Sequence, residues 1–432
     1  MLVWNICAVK GMLKIDGYLF GTKEAAMSNI DFKKTGFGTT VIHAGHHRDP
    51  EHGALAAPIF QTSTYCFDTV EDAGDAFAGI SGRYDYSRVG NPTVHTLELK
   101  MAEIECAEAA VCTGSGMGAV SSAVMGLLKA GDHVIASDTL YGCTDVVMRS
   151  ILPSIDIETT LVDTTDLAAI EAAVRPNTKM IYFEAAANPT MKVADIAAIA
   201  AIAHKNGAKV VVDNTFTPPP ICRPILLGAD ISLHSMTKYL NGHGDVIAGV
   251  VCGRAEDIKV ISSRAVGKIT GSHMSPSNAY LVIRGMKTLE LRLQRHSENA
   301  KGIAKFLEGQ PYIKAVYHPS LPSNGKNYET AKKQFDPEIT TGMVSFETCE
   351  YKGMGAFDVA KKLLNNLTIP AIGVSLGDPD SLIQHPASMT HANVTPEGKA
   401  QAGITDGLIR FSVGLENLAD LIADFEQSAA KL

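Results

Sequence analysis

Seven short apolar runs, many of them β-branched, punctuate residues 108–253: EAAVCT (108–113), DHVIAS (132–137), IETTLVD (157–163), KMIYFEA (179–185), KVVVDNT (209–215), DISLHS (230–235) and VIAGVVCG (246–253). Helical patterns lie between most of them, such as 117–130 and 195–207, the latter closed by Gly207. Strands that are apolar on both faces and alternate with helices can bury themselves only in a sheet covered on both sides. The expected fold is therefore α/β, with a mostly parallel seven-stranded sheet. Further strand-like runs at 313–318, 342–348 and 408–414 follow one long helical stretch over 284–309 and imply a smaller α+β C-terminal domain.

The expected division is a disordered extension or upstream start over 1–26, an extended N-terminal arm over 27–90, a large domain over 91–289 and the C-terminal domain over 290–432. Residues 27–90 show little periodicity and many Gly, Pro, His and Thr. A net charge of −8 without a basic run gives no footprint for nucleic acid. No stretch approaches the roughly 20 apolar residues of a membrane span, so no membrane partner is expected. Eight scattered cysteines, with no C-x-x-C pair, read as a reduced intracellular chain and place it in the cytoplasm. The histidines of HAGHHRD (43–49) find no partner carboxylate, and no metal is expected.

In open α/β sheets, ligands sit at the carboxyl ends of the strands. The first run ends in TGSGMGA (113–119), a glycine-rich turn into a helix whose N–H groups favour a phosphate. Gly114, Gly116 and Ala119 also satisfy the dinucleotide pattern G-x-G-x-x-A, with Asp138 as its ribose acid, so this turn alone admits a dehydrogenase. Asp213 ends an intensely apolar run, where a carboxylate needs a cationic or donor partner, although a helix-cap role would also place an acid there. Lys238 follows the run 230–235 and sits among Ser235, Thr237, Gly242 and Gly244 in HSMTKYLNGHGD. A desolvated lysine can act as a Schiff-base nucleophile. Phosphate loop, strand-end acid and strand-end lysine together are the attachments of pyridoxal phosphate, and a dinucleotide enzyme needs no such lysine.

With SRVGNPT (87–93), SGMGA, LYGCT (140–144), VVDNTF (211–216), HSMTKYLNGHGD and SLGDPDSLIQHPASMTH (375–391) in order, the chain resembles the fold-type I pyridoxal-phosphate enzymes of the Cys/Met metabolism family. The resemblance runs from about Gly36 to the end. It implies Lys238 as the cofactor's lysine, Asp213 on the ring nitrogen, and Ser115, Gly116, Met117, Ser235 and Thr237 around the phosphate. Tyr141 would stack on the ring and protonate the leaving thiolate, its phenol lowered in pKa by nearby cations. Tyr86 and Arg88 would reach the cofactor of a neighbouring subunit, which implies a homotetramer built from two site-sharing dimers. Arg410, in an otherwise apolar strand, would hold the α-carboxylate of an amino-acid substrate, helped by Ser375.

Family members carry out β-elimination, γ-elimination or γ-replacement. Most carry Gly where this chain has Cys143, and those that cleave methionine at its γ-carbon carry cysteine. The implied reaction is α,γ-elimination of L-methionine to methanethiol, 2-oxobutanoate and ammonia. One segment departs: those enzymes pair Lys and Asp in G-L-K-D-[IM]-T-G, where this chain reads AVGKITG, with Gly267 and Lys268. Homocysteine, cysteine, cystathionine and γ-replacement on activated homoserines thus stay open.

Overall fold

The computed structural model describes residues 30–46, 49, 51–390, 392, 395, 398–399 and 403–432. The 1–26 extension and His47 lie outside them. Among the described residues no three or more His, Cys, Asp or Glu side chains group to hold a metal ion, and no helix is long and apolar enough to cross a membrane.

All seven expected runs are strands: β1 (Ala109–Thr113), β2 (His133–Ser137), β3 (Glu158–Val162), β4 (Thr178–Glu184), β5 (Lys209–Asp213), β6 (Ile231–Ser235) and β7 (Gly249–Gly253). They form a seven-stranded sheet in the order β1-β7-β6-β5-β4-β2-β3. By its packing the chain divides into two compact units, one running to Leu128 with Asp230–Asn241 and Asp245–Leu289, the other made of Lys129–Ala229, Gly242–Gly244 and Glu290–Leu432.

In the first unit β7 runs antiparallel to both β1 and β6, so β1 and β6 point the same way. The helix Pro92–Glu105 opens with Asn91, whose side chain accepts from the N–H groups of Thr93 and Val94, and with Pro92, whose fixed φ suits a first helical turn. Its Lys100 is fully buried and donates to the carbonyls of Val41 (2.6 Å) and Ile42 (3.1 Å) at the end of the helix Phe37–His43. Burial, with Lys287 nearby, lowers this amine to about 7.

In the second unit β5, β4, β2 and β3 are parallel. A second sheet, β10 (Ala371–Ile372), β11 (Leu382–Gln384), β12 (Leu408–Ser412), β9 (Met343–Thr348) and β8 (Ile313–Tyr317), has antiparallel pairs except between β10 and β11. Its inner face packs Val344, Phe346, Ile409 and Phe411 against Phe425 and the helices Leu289–Glu308 and Ala356–Asn365. The helical stretch expected over 284–309 is in fact two helices, Pro276–Met286 and Leu289–Glu308. Bonds spaced three residues apart end the first: Lys287 N–H to the Arg284 carbonyl, and both the N–H and hydroxyl of Thr288 to that of Gly285.

Candidate active site

The first unit assembles the phosphate-type loop. Ser115 caps the helix Gly116–Leu127, its hydroxyl accepting from Gly118 N–H at 2.9 Å. Thr113 and Ser235 both face Gly249 in strand register. A methyl group on Gly116 would lie 2.7 Å from the Ser235 Cβ, so the bare glycine is what lets the helix N-terminus approach the end of β6. Lys238 is half-buried, on the turn after β6, and its N–H donates to the Ser235 carbonyl at 3.3 Å. The Thr237 hydroxyl donates to the Ala248 carbonyl (3.2 Å) and accepts from Ala248 N–H (3.0 Å). Behind Ser235, His234 is fully buried and pairs with Glu105 at 2.5 Å. Tyr86 and Arg88 are exposed; the Arg88 guanidinium lies 5.6 Å from the Tyr86 ring centre and donates to the Gly267 carbonyl. Met117 lies in the first turn of the same helix, its carbonyl accepting from the Ser121 hydroxyl.

The second unit gathers an acid pair and a guanidinium. Parallel pairing of β4 with β5 sets Glu184 beside Asp213. One Asp213 oxygen accepts from Thr215 N–H (3.0 Å) and from the Thr215 hydroxyl (2.5 Å). Buried Glu184 spends both oxygens on backbone donors, Oε1 on Tyr141 N–H at 2.6 Å and Oε2 on Asn188 N–H at 2.8 Å. Burial, then the Asp213 charge, pushes its carboxyl up to about 8. Tyr141 opens the short helix Gly142–Val146 just past the end of β2, and Cys143 Sγ donates to its hydroxyl at 3.7 Å. Buried Arg410, on β12, donates from Nη1 to Asn188 Oδ1 and from Nη2 to the Ser375 carbonyl, each at 3.0 Å. Ser375 has φ 132°, a backbone conformation that costs a non-glycine residue on the order of 1–3 kcal/mol.

One expectation is overturned here. The Tyr141 phenol is raised above its ordinary value by burial and by Cys143, and only Arg410 pulls the other way. Glu184 and Asn188 were not singled out from sequence. Glu184 ends an apolar run just as Asp213 does, and that was the available signal.

The family description "Cys/Met metabolism PLP-dependent enzyme" matches residues 38–430. The chain belongs to this family. Within it, the chain is 49% identical to an L-methionine gamma-lyase of Porphyromonas gingivalis over 94% of this chain and 100% of that one. A cystathionine gamma-lyase of Bacillus subtilis is 42% identical over 90% of this chain and 98% of its own. A crystal structure of a putative O-acetylhomoserine (thiol)-lyase from Campylobacter jejuni, which carries N'-pyridoxyl-lysine-5'-monophosphate, superposes with a TM-score of 0.86 at 31% identity, over 92% of this chain and 100% of that one.

As a Cys/Met-family enzyme the chain is PLP-dependent, and its residues suit the cofactor. The bare Gly116 beside Ser235 gives a phosphate a helix N-terminus with a hydroxyl next to it. Two half-buried and buried carboxylates in adjacent register, Asp213 and Glu184, form an arrangement that favours a nearby cation such as a protonated pyridine nitrogen.

Proposed function

We propose that this enzyme is a carbon-sulfur lyase that eliminates the γ-substituent of L-methionine, giving methanethiol, 2-oxobutanoate and ammonia. The observation that carries this reading is Cys143 beside the Tyr141 hydroxyl in a chain half identical to a methionine lyase over its length. Lys238 is assigned the Schiff-base linkage, Asp213 the ring nitrogen, and Ser115, Gly116, Met117, Ser235 and Thr237 the phosphate. For Thr237 this requires its proton to turn away from the Ala248 carbonyl. Bound pyridoxal phosphate supplies an electron sink for the charge left at Cα.

The chain's own groups do the rest. Arg410 binds the α-carboxylate with a fork already preset by Asn188 and Ser375. The Lys238 amine moves the Cα proton and then works at Cβ. A Tyr141 phenol raised in pKa is protonated at neutral pH and so carries a proton for a departing thiolate. Tyr86 and Arg88 are assigned to a neighbouring subunit's cofactor within a homotetramer, in keeping with their exposure and with exposed Leu55, Val70, Phe77 and Ile80 in the same segment. The proposed compartment is the cytoplasm.

A second reading, preference for cystathionine or cysteine, draws on Gly267 and Lys268. Arg88 donates from one terminal nitrogen to the Gly267 carbonyl, so this segment is polar in a different way from a Lys-Asp pair. The test is to record visible absorbance with and without borohydride, then to assay 2-oxobutanoate and methanethiol from methionine, with homocysteine, cysteine and cystathionine in parallel. A yellow, borohydride-sensitive protein with its highest kcat/KM on methionine is expected. A yellow protein most efficient on cystathionine or cysteine would replace the first reading with the second, and a colourless one without bound cofactor would sink both.

A further inference from the structure

We propose that Glu184 is a positioning residue that ties the proton-donating phenol of Tyr141 to the carboxylate fork of Arg410, so that one buried side chain sets both ends of the substrate. The role follows from where its two oxygens go. Oε1 holds the backbone N–H of Tyr141 at 2.6 Å, at the first residue of the turn that also carries Cys143. Oε2 holds the backbone N–H of Asn188 at 2.8 Å, and the side chain of that same Asn188 holds Arg410 Nη1 at 3.0 Å. Tyr141 and Asn188 lie on loops that follow different strands, β2 and β4, and Glu184 bonds to both.

The arrangement carries an electrostatic cost. A buried carboxylate beside Asp213 is unfavourable, and the raised carboxyl registers that strain. An apolar residue would avoid that cost but would leave the N–H groups of Tyr141 and Asn188 without this acceptor. Accepting two N–H groups at once, however, needs both oxygens as acceptors, and that is best met by the ionised form. Ionisation then strengthens the hold on both loops, and protonation loosens it. A misplacement on the order of 1 Å at a reacting group costs about 100-fold in rate.

The inference rests on the lyase reading for its turnover readout only, so the test includes a measurement that does not need turnover. In the holoenzyme, E184Q keeps the shape and one acceptor oxygen but turns an amide N–H2 toward one of the two backbone donors. Expected are unchanged cofactor content by borohydride-sensitive absorbance and a kcat/KM lower by about 10- to 100-fold, shared between kcat and KM. Affinity for glycine, an unreactive α-amino acid read by the visible difference spectrum, should weaken, and its pH dependence should lose the limb near pH 8. N188A, which leaves Glu184 and its backbone bonds in place, should reproduce the KM and glycine effects with the smaller loss in kcat; if E184Q does not fold, E184D, which keeps the charge but shortens the reach, decides the matter by the same glycine readout.

Wild-type glycine affinity and pH profile in E184Q, or in N188A a loss of turnover with glycine binding unmoved, would overturn the proposal. Absence of methionine turnover in the wild type, with the glycine effects intact, would sink the methionine reading and leave Glu184 standing.

Discussion

Arg410 reaches its place by donating from both terminal nitrogens, to an amide oxygen and to a backbone carbonyl. A lysine carries its three donors on one nitrogen and cannot span both partners while presenting a two-pronged fork to a carboxylate. R410K is therefore expected to lower kcat/KM about 10- to 100-fold, mostly through KM, a split that steady-state kinetics would show. K238A should abolish nearly all turnover and remove the borohydride-sensitive linkage; turnover at the wild-type rate would refute the assignment of Lys238. Both stand out in the sequence, Arg410 because it interrupts an apolar run and Lys238 because it follows one among hydroxyls and glycines. The Tyr141 phenol was misjudged for a related reason. Sequence displays the cations of a motif but not the burial of the ring, and burial is the largest influence on this phenol. Asn188 gave no signal at all, since its place beside Arg410 comes from the pairing of distant segments.

At the scale of elements, β-branched runs a few residues long located all seven strands of the large sheet, because strands covered on both faces carry their apolar character continuously. β10 and β11, two and three residues long, are too short to hold a period. The break at residues 287–288 is made by Thr288 reaching back to Gly285, and a helical apolar pattern passes over it undisturbed. The register itself yields a prediction. Gly249 lies opposite both Thr113 and Ser235, and a methyl group there would come within 2.5 Å of Thr113 Oγ1 and collide with the Ser115 carbonyl. G249A should destabilise the protein by about 1–3 kcal/mol in urea titration and lower its affinity for pyridoxal phosphate. A variant with unchanged midpoint and unchanged cofactor affinity would show that the loop yields without cost.

For the molecule as a whole, two buried groups set opposing pH dependences of stability. Lys100 is held near 7, so between about 7 and its ordinary 10.5 the native chain binds fewer protons than the unfolded one; stability from this group rises with pH across that window and is lost as pH falls through 7. Glu184 is held near 8, so its contribution is full below 4.5 and is lost as pH rises through 8. Each can contribute a slope of up to about 1.4 kcal/mol per pH unit. In thermal melts from pH 8.5 to 10, where Glu184 is ionised, K100M should remove the rise that the wild type shows. An identical slope in both proteins would mean that the amine of Lys100 titrates normally.

Ser375, whose carbonyl braces Arg410, adopts a backbone conformation that glycine reaches at far lower energy. The chain thus holds a ready route to greater heat resistance in a single codon. S375G would relieve the strained φ and loosen the carbonyl at the same time. Laboratory selection for survival at high temperature, without selection for turnover, should find that change repeatedly, and selection for both together should reject it.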